Sequence, residues 1–252
     1  MWVSITQRVC YNSPVLVNAS NPVKTLIFSD THLHKEFEEE KFLFLKKIIS
    51  EADRVIIAGD FWEAKLMTFD EFVNSFWNQL FPLLKKKNTV YIYGNHDKKE
   101  LSDKRVSLFS DIQTDQYKFT SCGKTFVVEH GNRFFSKFYY LAFTGIGKYI
   151  LPSKFTIKWI HSKLEKFLTR TYGKEFIQKR FRKFNNEIKM QMRKEFTNDE
   201  ILICGHTHAA EIDLKHNFIN TGIIRHGIAQ YVVIDGDDIS LHEEWYENPK
   251  KN

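Results

Sequence analysis

Five short clusters carry the residue types that do chemistry. They are Asp30-x-His32, Gly59-Asp60-x-x-Glu63, Gly94-Asn95-His96-Asp97, His130-Gly131 and Gly205-His206-x-His208. Carboxylate, amide oxygen and imidazole are hard and borderline donors for divalent metal ions. Alone, each cluster has an ordinary explanation. An Asp-x-His is usually a turn, an Asn-His-Asp can cap a helix, and single histidines are more often hydrogen-bonded core residues than ligands. All five in one chain point to one metal site. Two ions in such a site would attract phosphate and acidify a water held between them, giving hydrolysis with no Ser or Cys nucleophile. Histidines bind metal only when neutral, so activity is expected to fall in acid.

These residues need a frame that ends several strands at one place. Val23 to Asp30, Arg54 to Asp60 and Thr89 to Gly94 read as buried strands that each stop at a polar residue. Between them, Phe42, Leu45, Ile48 and Ile49 recur at helical spacing, as do Phe69, Val73, Phe76, Leu80 and Leu84. Strand, helix, strand, helix, strand predicts right-handed βαβ units in a layered α/β domain. Such sheets bind ligands beyond the carboxyl ends of their strands, where these clusters lie. Gln116 to Ser121 and Lys124 to Glu129 flank Cys122-Gly123 as a hairpin. Strand patterns return at Ile201 to Gly205, His216 to Asn220, Gln230 to Asp235 and Ile239 to Trp245. The first twenty or so residues have no clear periodicity and read as an N-terminal strand or arm.

Between the two strand-rich parts, from about 134 to 196, lies a segment of different character. Its apolar stripes, Ile157, Ile160, Leu164, Phe167 and Leu168, then Phe176, Phe181, Phe184, Ile188 and Met192, predict helices. From Ser136 to Lys194 it holds fifteen Lys and Arg against three Glu, about +12 of a chain whose net charge is +6. The rest is therefore acidic, and the insert's expected partner is anionic. Both ends of the insert adjoin the predicted site, so it is expected to form a cap. Its many aromatics mostly pack it together. The others, with the cationic rim, suit an anionic amphiphile. That chemistry predicts an anionic phosphorylated substrate, a lipid-linked one included, and peripheral contact with a membrane. Nucleic acid fits a basic, aromatic surface too, as the less favoured partner.

The whole chain, 1–252, reads as one domain with that insert. Hydrophobic residues at 42% and charged residues at 27% give the balance of a globular protein. No run approaches the roughly 18 to 20 apolar residues of a membrane span. The start, with no basic region followed by an apolar core, predicts a cytoplasmic protein that can meet the inner membrane surface. Cys10, Cys122 and Cys204 are far apart and argue for reduced thiols.

The ordered set DxH, GDxxE, GNHD, HG and GHTH resembles the calcineurin-like metallophosphoesterases. The resemblance implies a four-layer αββα sandwich of two mixed sheets. It implies that Asp30, His32 and His208 hold one divalent ion, that Asn95, His130 and His206 hold the other, and that Asp60 bridges them. His96 would stabilise the transition state or protonate the leaving oxygen, and Glu63 would orient it. Asp97 completes the catalytic motif, with a capping role as its alternative. Arg133 is near enough in sequence to touch phosphate, or else to pair with a surface acid. Mn²⁺ suits the carboxylate and amide content first, with Fe²⁺, Zn²⁺ and Ni²⁺ also compatible. A helical cap here is similar to the UDP-2,3-diacylglucosamine diphosphatase branch, which implies a UDP-linked acylated sugar as substrate. One departure matters: that branch carries Arg where this chain has His96. A nucleotide phosphodiesterase or nuclease is the first alternative, and a non-catalytic scaffold of the same fold the second. A protein phosphatase is less favoured, because a broad substrate needs an open cleft.

Overall fold

Successive residues of the central strands face opposite ways, and two separate cores receive them. The computed structural model describes residues 23–134, 171 and 174–247, with backbone alone over 174–180. In β1 (Thr25–Phe28), Leu26 and Phe28 enter one core and Ile27 the other. In β2 (Arg54–Ala58), Val55 and Ile57 join Leu26, while Ile56 and Ala58 join Ile27. β3 (Val90–Ile92) and β4 (Ile112–Thr114) extend the parallel order β1-β2-β3-β4.

The second sheet comprises β5 (Gln116–Ser121), β6 (Lys124–Glu129), β7 (Glu200–Cys204), β8 (Glu211–Asp213) and β9 (Phe218–Asn220), in the order β5-β6-β7-β9-β8. β10 (Ile224–Arg225), β11 (Ile228–Asp235) and β12 (Asp238–Trp245) return to the first sheet, where β11 runs antiparallel beside β1. Both sheets are mixed. Ile27, Ile56, Val90 and Ile92 of the first meet Phe126, Val128, Ile203 and Ile219 of the second in a dry layer between them.

Helices α1 (Glu39–Ser50), α2 (Phe69–Val73) and α3 (Phe81–Lys86) cover the outer face of the first sheet. α4 (Lys174–Met192) packs Ile188 and Met192 on Leu202, Cys204 and Phe218, covering the outer face of the second. The layers are α, β, β, α, as expected. Among the described residues, no helix is long and apolar enough to cross a membrane.

The hairpin strands match their expected bounds. Its two loop residues, Cys122 and Gly123, both have positive φ (45° and 76°), as a tight two-residue turn requires. The stripe from Phe69 to Leu84 is not one helix. It divides into α2, a 3₁₀ turn at Phe76–Leu80, and α3, with Pro82 in the first turn of α3. Proline lacks an N–H and clashes with the carbonyl four residues back, so it starts a helix and cannot continue one. The strand read from His216 begins only at Phe218, because Leu214–His216 form a 3₁₀ turn closed by Asn217 in the left-handed region. The N-terminal arm and the stripe from Ile157 to Leu168 lie outside the described residues, as does the Phe176 side chain. In the second stripe Ile188 and Met192 are buried and Phe181 and Phe184 half-buried.

Candidate metal centre

Every cluster named above lies just past a strand end of β1, β2, β3, β6 or β7, and the two sheets bring these ends together. The loops are tight. Asp30, His32, Asp60, His206 and His208 all have positive φ, from 44° to 66°. Non-glycine residues there cost about 1–3 kcal/mol each and are held only where surrounding contacts fix them. The glycines make room for the ligands. A Cβ on Gly205 would lie 2.0 Å from Ser29 Oγ and 2.3 Å from Asp30 Oδ2, and one on Gly59 would lie 2.5 Å from His130 Nδ1.

Each carboxylate has one oxygen fixed by the chain and one turned to the centre. Asp30 Oδ2 accepts from the Ser29 hydroxyl and from the His206 amide at 2.9 Å. Its Oδ1 lies 3.3 Å from His208 Nε2 and 3.7 Å from His32 Nε2. Asp60 Oδ1 accepts from the His96 amide at 2.8 Å. Its Oδ2 lies 3.3 Å from His130 Nε2 and 3.7 Å from His32 Nε2, between the two halves of the site. His130 Nδ1 donates to the Ala58 carbonyl at 2.9 Å, which leaves Nε2 facing inward, 3.0 Å from Asn95 Oδ1 and 3.3 Å from His206 Nδ1.

The donors fit divalent cations. Asp30 Oδ1 and His32 Nε2 are fully buried without a hydrogen-bond partner, and their neighbours are other inward donors. Donor atoms of Asp30, His32 and His208 lie within 4.8 Å of one another, and so do those of Asp30, Asp60 and His130. These clusters can hold metal ions. Burial opposes charge on Asp30 and Asp60, yet the histidines beside them hold both carboxyls below the ordinary range. Burial, reinforced by His130, pushes His206 down to about 3, so this imidazole is neutral at pH 7. Burial also opposes a proton on His130, but the Asp60 carboxylate outweighs it and lifts the group to about 10.

His96 stands at the mouth of the centre. Its Nδ1 lies 2.7 Å from Glu63 Oε2, and its Nε2 lies 3.9 Å from Asp60 Oδ2. Glu63 also reaches His32 Nδ1 at 3.1 Å. Burial opposes charge on Glu63, but its bonds to His32 and His96 depress its pKa strongly. Burial lowers the pKa of His96.

Asp97 points away from the centre. Its carboxylate accepts from the amides of Asp60 (3.1 Å), Phe61 (2.6 Å) and Gly94 (2.7 Å), clamping two strand ends together. That geometry fits the capping alternative. Arg133 pairs with Glu129 and Glu195, and it lines a cavity of about 560 Å³ that opens beside Gly94 and His130. Trp62 is buried and stacks on Phe72. One residue had no motif to mark it: the Lys65 ammonium lies 2.9 Å from Nε2 and 3.2 Å from Nδ1 of His96.

Residues 23–236 match the calcineurin-like phosphoesterase superfamily domain. No curated protein matches the chain. Among solved structures, Vacuolar Protein Sorting 29 from Cryptosporidium parvum is 12% identical, with 92% of this chain and 96% of that one covered, at a TM-score of 0.48. YfcE, a phosphoesterase from E. coli, is 14% identical, with 86% and 90% covered and a TM-score of 0.43. The Pseudomonas putida nuclease MPE is 22% identical over 42% of this chain and 53% of that one, at a TM-score of 0.32. The family match runs from just before β1 through the end of β11 and takes in every cluster that lines the centre, so the chain belongs to the calcineurin-like phosphoesterase superfamily.

Proposed function

We propose that the protein is a dinuclear metal-dependent phosphoesterase that hydrolyses a phosphodiester or pyrophosphate bond. The observation that carries this reading is the convergence of Asp, His and Asn donor atoms at the strand ends, with Asp30 Oδ1 and His32 Nε2 buried without a hydrogen-bond partner and Asp60 Oδ2 3.7 Å from His32 Nε2 and 3.3 Å from His130 Nε2. Asp30, His32 and His208 would hold one ion and Asn95, His130 and His206 the other, with Mn²⁺ first among the candidates. When bound, the ions supply Lewis acidity and an acidified water as nucleophile.

The chain's own residues do the rest. Glu63 fixes His96 through Nδ1, so Nε2, beside the Lys65 ammonium at 2.9 Å, is the atom that would meet the substrate. An anionic phosphoryl group beside His96 favours the imidazolium, and Glu63 stabilises it. Nε2 then donates to the leaving oxygen. Lys65 adds positive charge at the same mouth. Asp97 positions the strand ends and touches no reacting group. Arg133 contributes to the wall on which a substrate's remoter part would rest.

The finer reading is an anionic amphiphile of the UDP-linked acylated sugar class. Its support is the basic, aromatic composition of segment 134–196, which in sequence joins the His130 and His206 motifs. The test is turnover by Mn²⁺-reloaded protein of bis-p-nitrophenyl phosphate, a UDP-linked acylated sugar and single-stranded DNA, each with Asp60→Ala as control. Metal-dependent turnover lost in the control supports the phosphoesterase. Preference for the acylated pyrophosphate supports the finer reading, and preference for DNA replaces it with a nuclease. No turnover of any of the three, with metal bound, favours the scaffold.

A further inference from the structure

We propose that Asn185, on α4 in the C-terminal part of the basic insert, is a positioning residue for the metal centre, so that this helix and the centre form one mechanical unit. The inference rests on the metal reading above, because its object is the loop that carries His206 and His208.

Asn185 is fully buried on the face of α4 that meets the second sheet. Its amide spans the ligand loop. Oδ1 accepts from the Thr207 hydroxyl at 2.6 Å, and Thr207 stands between the two histidines. Nδ2 donates to the carbonyl of Ala209, the residue after His208, at 2.8 Å, and to Glu211 Oε2 at 2.8 Å. Asn220 Nδ2 meets the same Oδ1 at 3.2 Å and also donates to the Gly205 carbonyl at 2.8 Å. One side chain thus grips the loop at the middle and at its exit.

That grip matters because the loop holds strained residues. His206 and His208 have φ of 66° and 60°, in the left-handed region that a non-glycine residue keeps only where surrounding contacts hold it. Phe181, one turn before Asn185 on α4, sets its ring 6.3 Å from that of His208, nearly edge-on. The hydrogen-bonded partners that orient metal ligands typically contribute a factor of about 10–100 to metal affinity.

A second contact on the same helix provides the control. Lys189 pairs with Glu211 and Asp213 at 2.6 Å each, anchoring α4 to β8 without touching residues 205 to 209. A residue that merely anchors the helix should behave like Lys189. A residue that positions the ligands should not.

The experiment is titration of the full-length, metal-stripped chain with Mn²⁺ by calorimetry, alongside thermal melting of each metal-free variant. Asn185→Ala is expected to weaken Mn²⁺ binding about 10–100-fold. Lys189→Ala, which reaches the loop only through the Glu211 it shares with Asn185, is expected to lower the melting temperature and to weaken Mn²⁺ binding far less than Asn185→Ala does. Thr207→Val, nearly the same shape, removes the same hydrogen bond and should weaken binding similarly. It also keeps the question open to test if Asn185→Ala does not fold. The double variant should lose less than the two single losses combined, because both remove the Asn185–Thr207 hydrogen bond. Wild-type affinity in Asn185→Ala and Thr207→Val overturns the inference, as does equal weakening by Lys189→Ala. A wild type that binds no Mn²⁺ overturns the metal reading itself, and this inference with it.

Discussion

His130 and His206 lie with ring nitrogens 3.3 Å apart, yet their proton affinities are driven in opposite directions. Burial takes His206 down to about 3, while Asp60 lifts His130 to about 10 against its burial. Without metal, His130 therefore holds a proton at pH 7 that an incoming ion must displace. Metal affinity should rise with pH between about 7 and 10, by up to about tenfold per unit, and flatten above. Calorimetry in buffers of different ionisation enthalpy should read proton release at pH 7, from His130 and also from His32, whose pKa is raised against its burial by Asp30 and Glu63; no release would contradict the assignment of His130. The sign for folding is opposite. A raised histidine pKa stabilises the metal-free fold fully below about 6.5, and that stability is lost as pH rises through about 10. His96→Ala should lower kcat by about 10²–10⁴ with the metal stoichiometry unchanged, and Glu63→Gln should lower it by less. Loss of bound metal in His96→Ala would make it a ligand instead. The candidate ligands were legible in the sequence because glycine, carboxylate and imidazole recur in short local motifs. Lys65 and Asn185 were not. Lys65 meets His96 across 31 residues, and Asn185 meets Thr207 across 22, with no local pattern to announce either pair.

At the scale of elements, strand ends do the positioning. Asp97 ties the ends of β2 and β3 through three backbone amides, and without it buried donors lose their partners. Asp97→Ala should cost about 2–4 kcal/mol, visible as a lower midpoint in urea with an unchanged slope. A change below about 0.5 kcal/mol would return Asp97 to the list of residues acting on substrate. The motif alone did not separate these roles, because a carboxylate beside a histidine has the same sequence whether it faces the ion or the backbone. Strands β1, β2, β3 and β7 were legible as apolar runs with both faces buried. β4 was not, because Ile112 and Gln113 are exposed on this edge strand, and β8, only three residues long, has no buried face. Phe69, Val73, Leu80 and Leu84 of the Phe69 to Leu84 stripe are buried across three separate elements, whereas Phe76 is exposed, and Pro82 lies in the first turn of the last of those elements.

At the scale of the whole molecule, the sequence divides its charge between a basic insert and an acidic remainder. The βαβ pattern gave a layered α/β domain, and the four-layer sandwich was what the family resemblance implied. Which sheet α4 covers came from neither, since an amphipathic stripe does not name its partner. The insert's charge makes one further prediction at this scale. The protein should sediment with anionic vesicles at low salt and come off as salt shortens the reach of its charges. Failure to sediment at low salt would remove membrane contact from the account. The central claim is that the strand ends hold two ions astride Asp60. Anomalous X-ray diffraction from Mn²⁺-soaked crystals tests it most directly. The account predicts two peaks roughly 3.5–4 Å apart, one against Asp30, His32 and His208 and one against Asn95, His130 and His206. A single peak, or none within reach of Asp60 Oδ2, would contradict it.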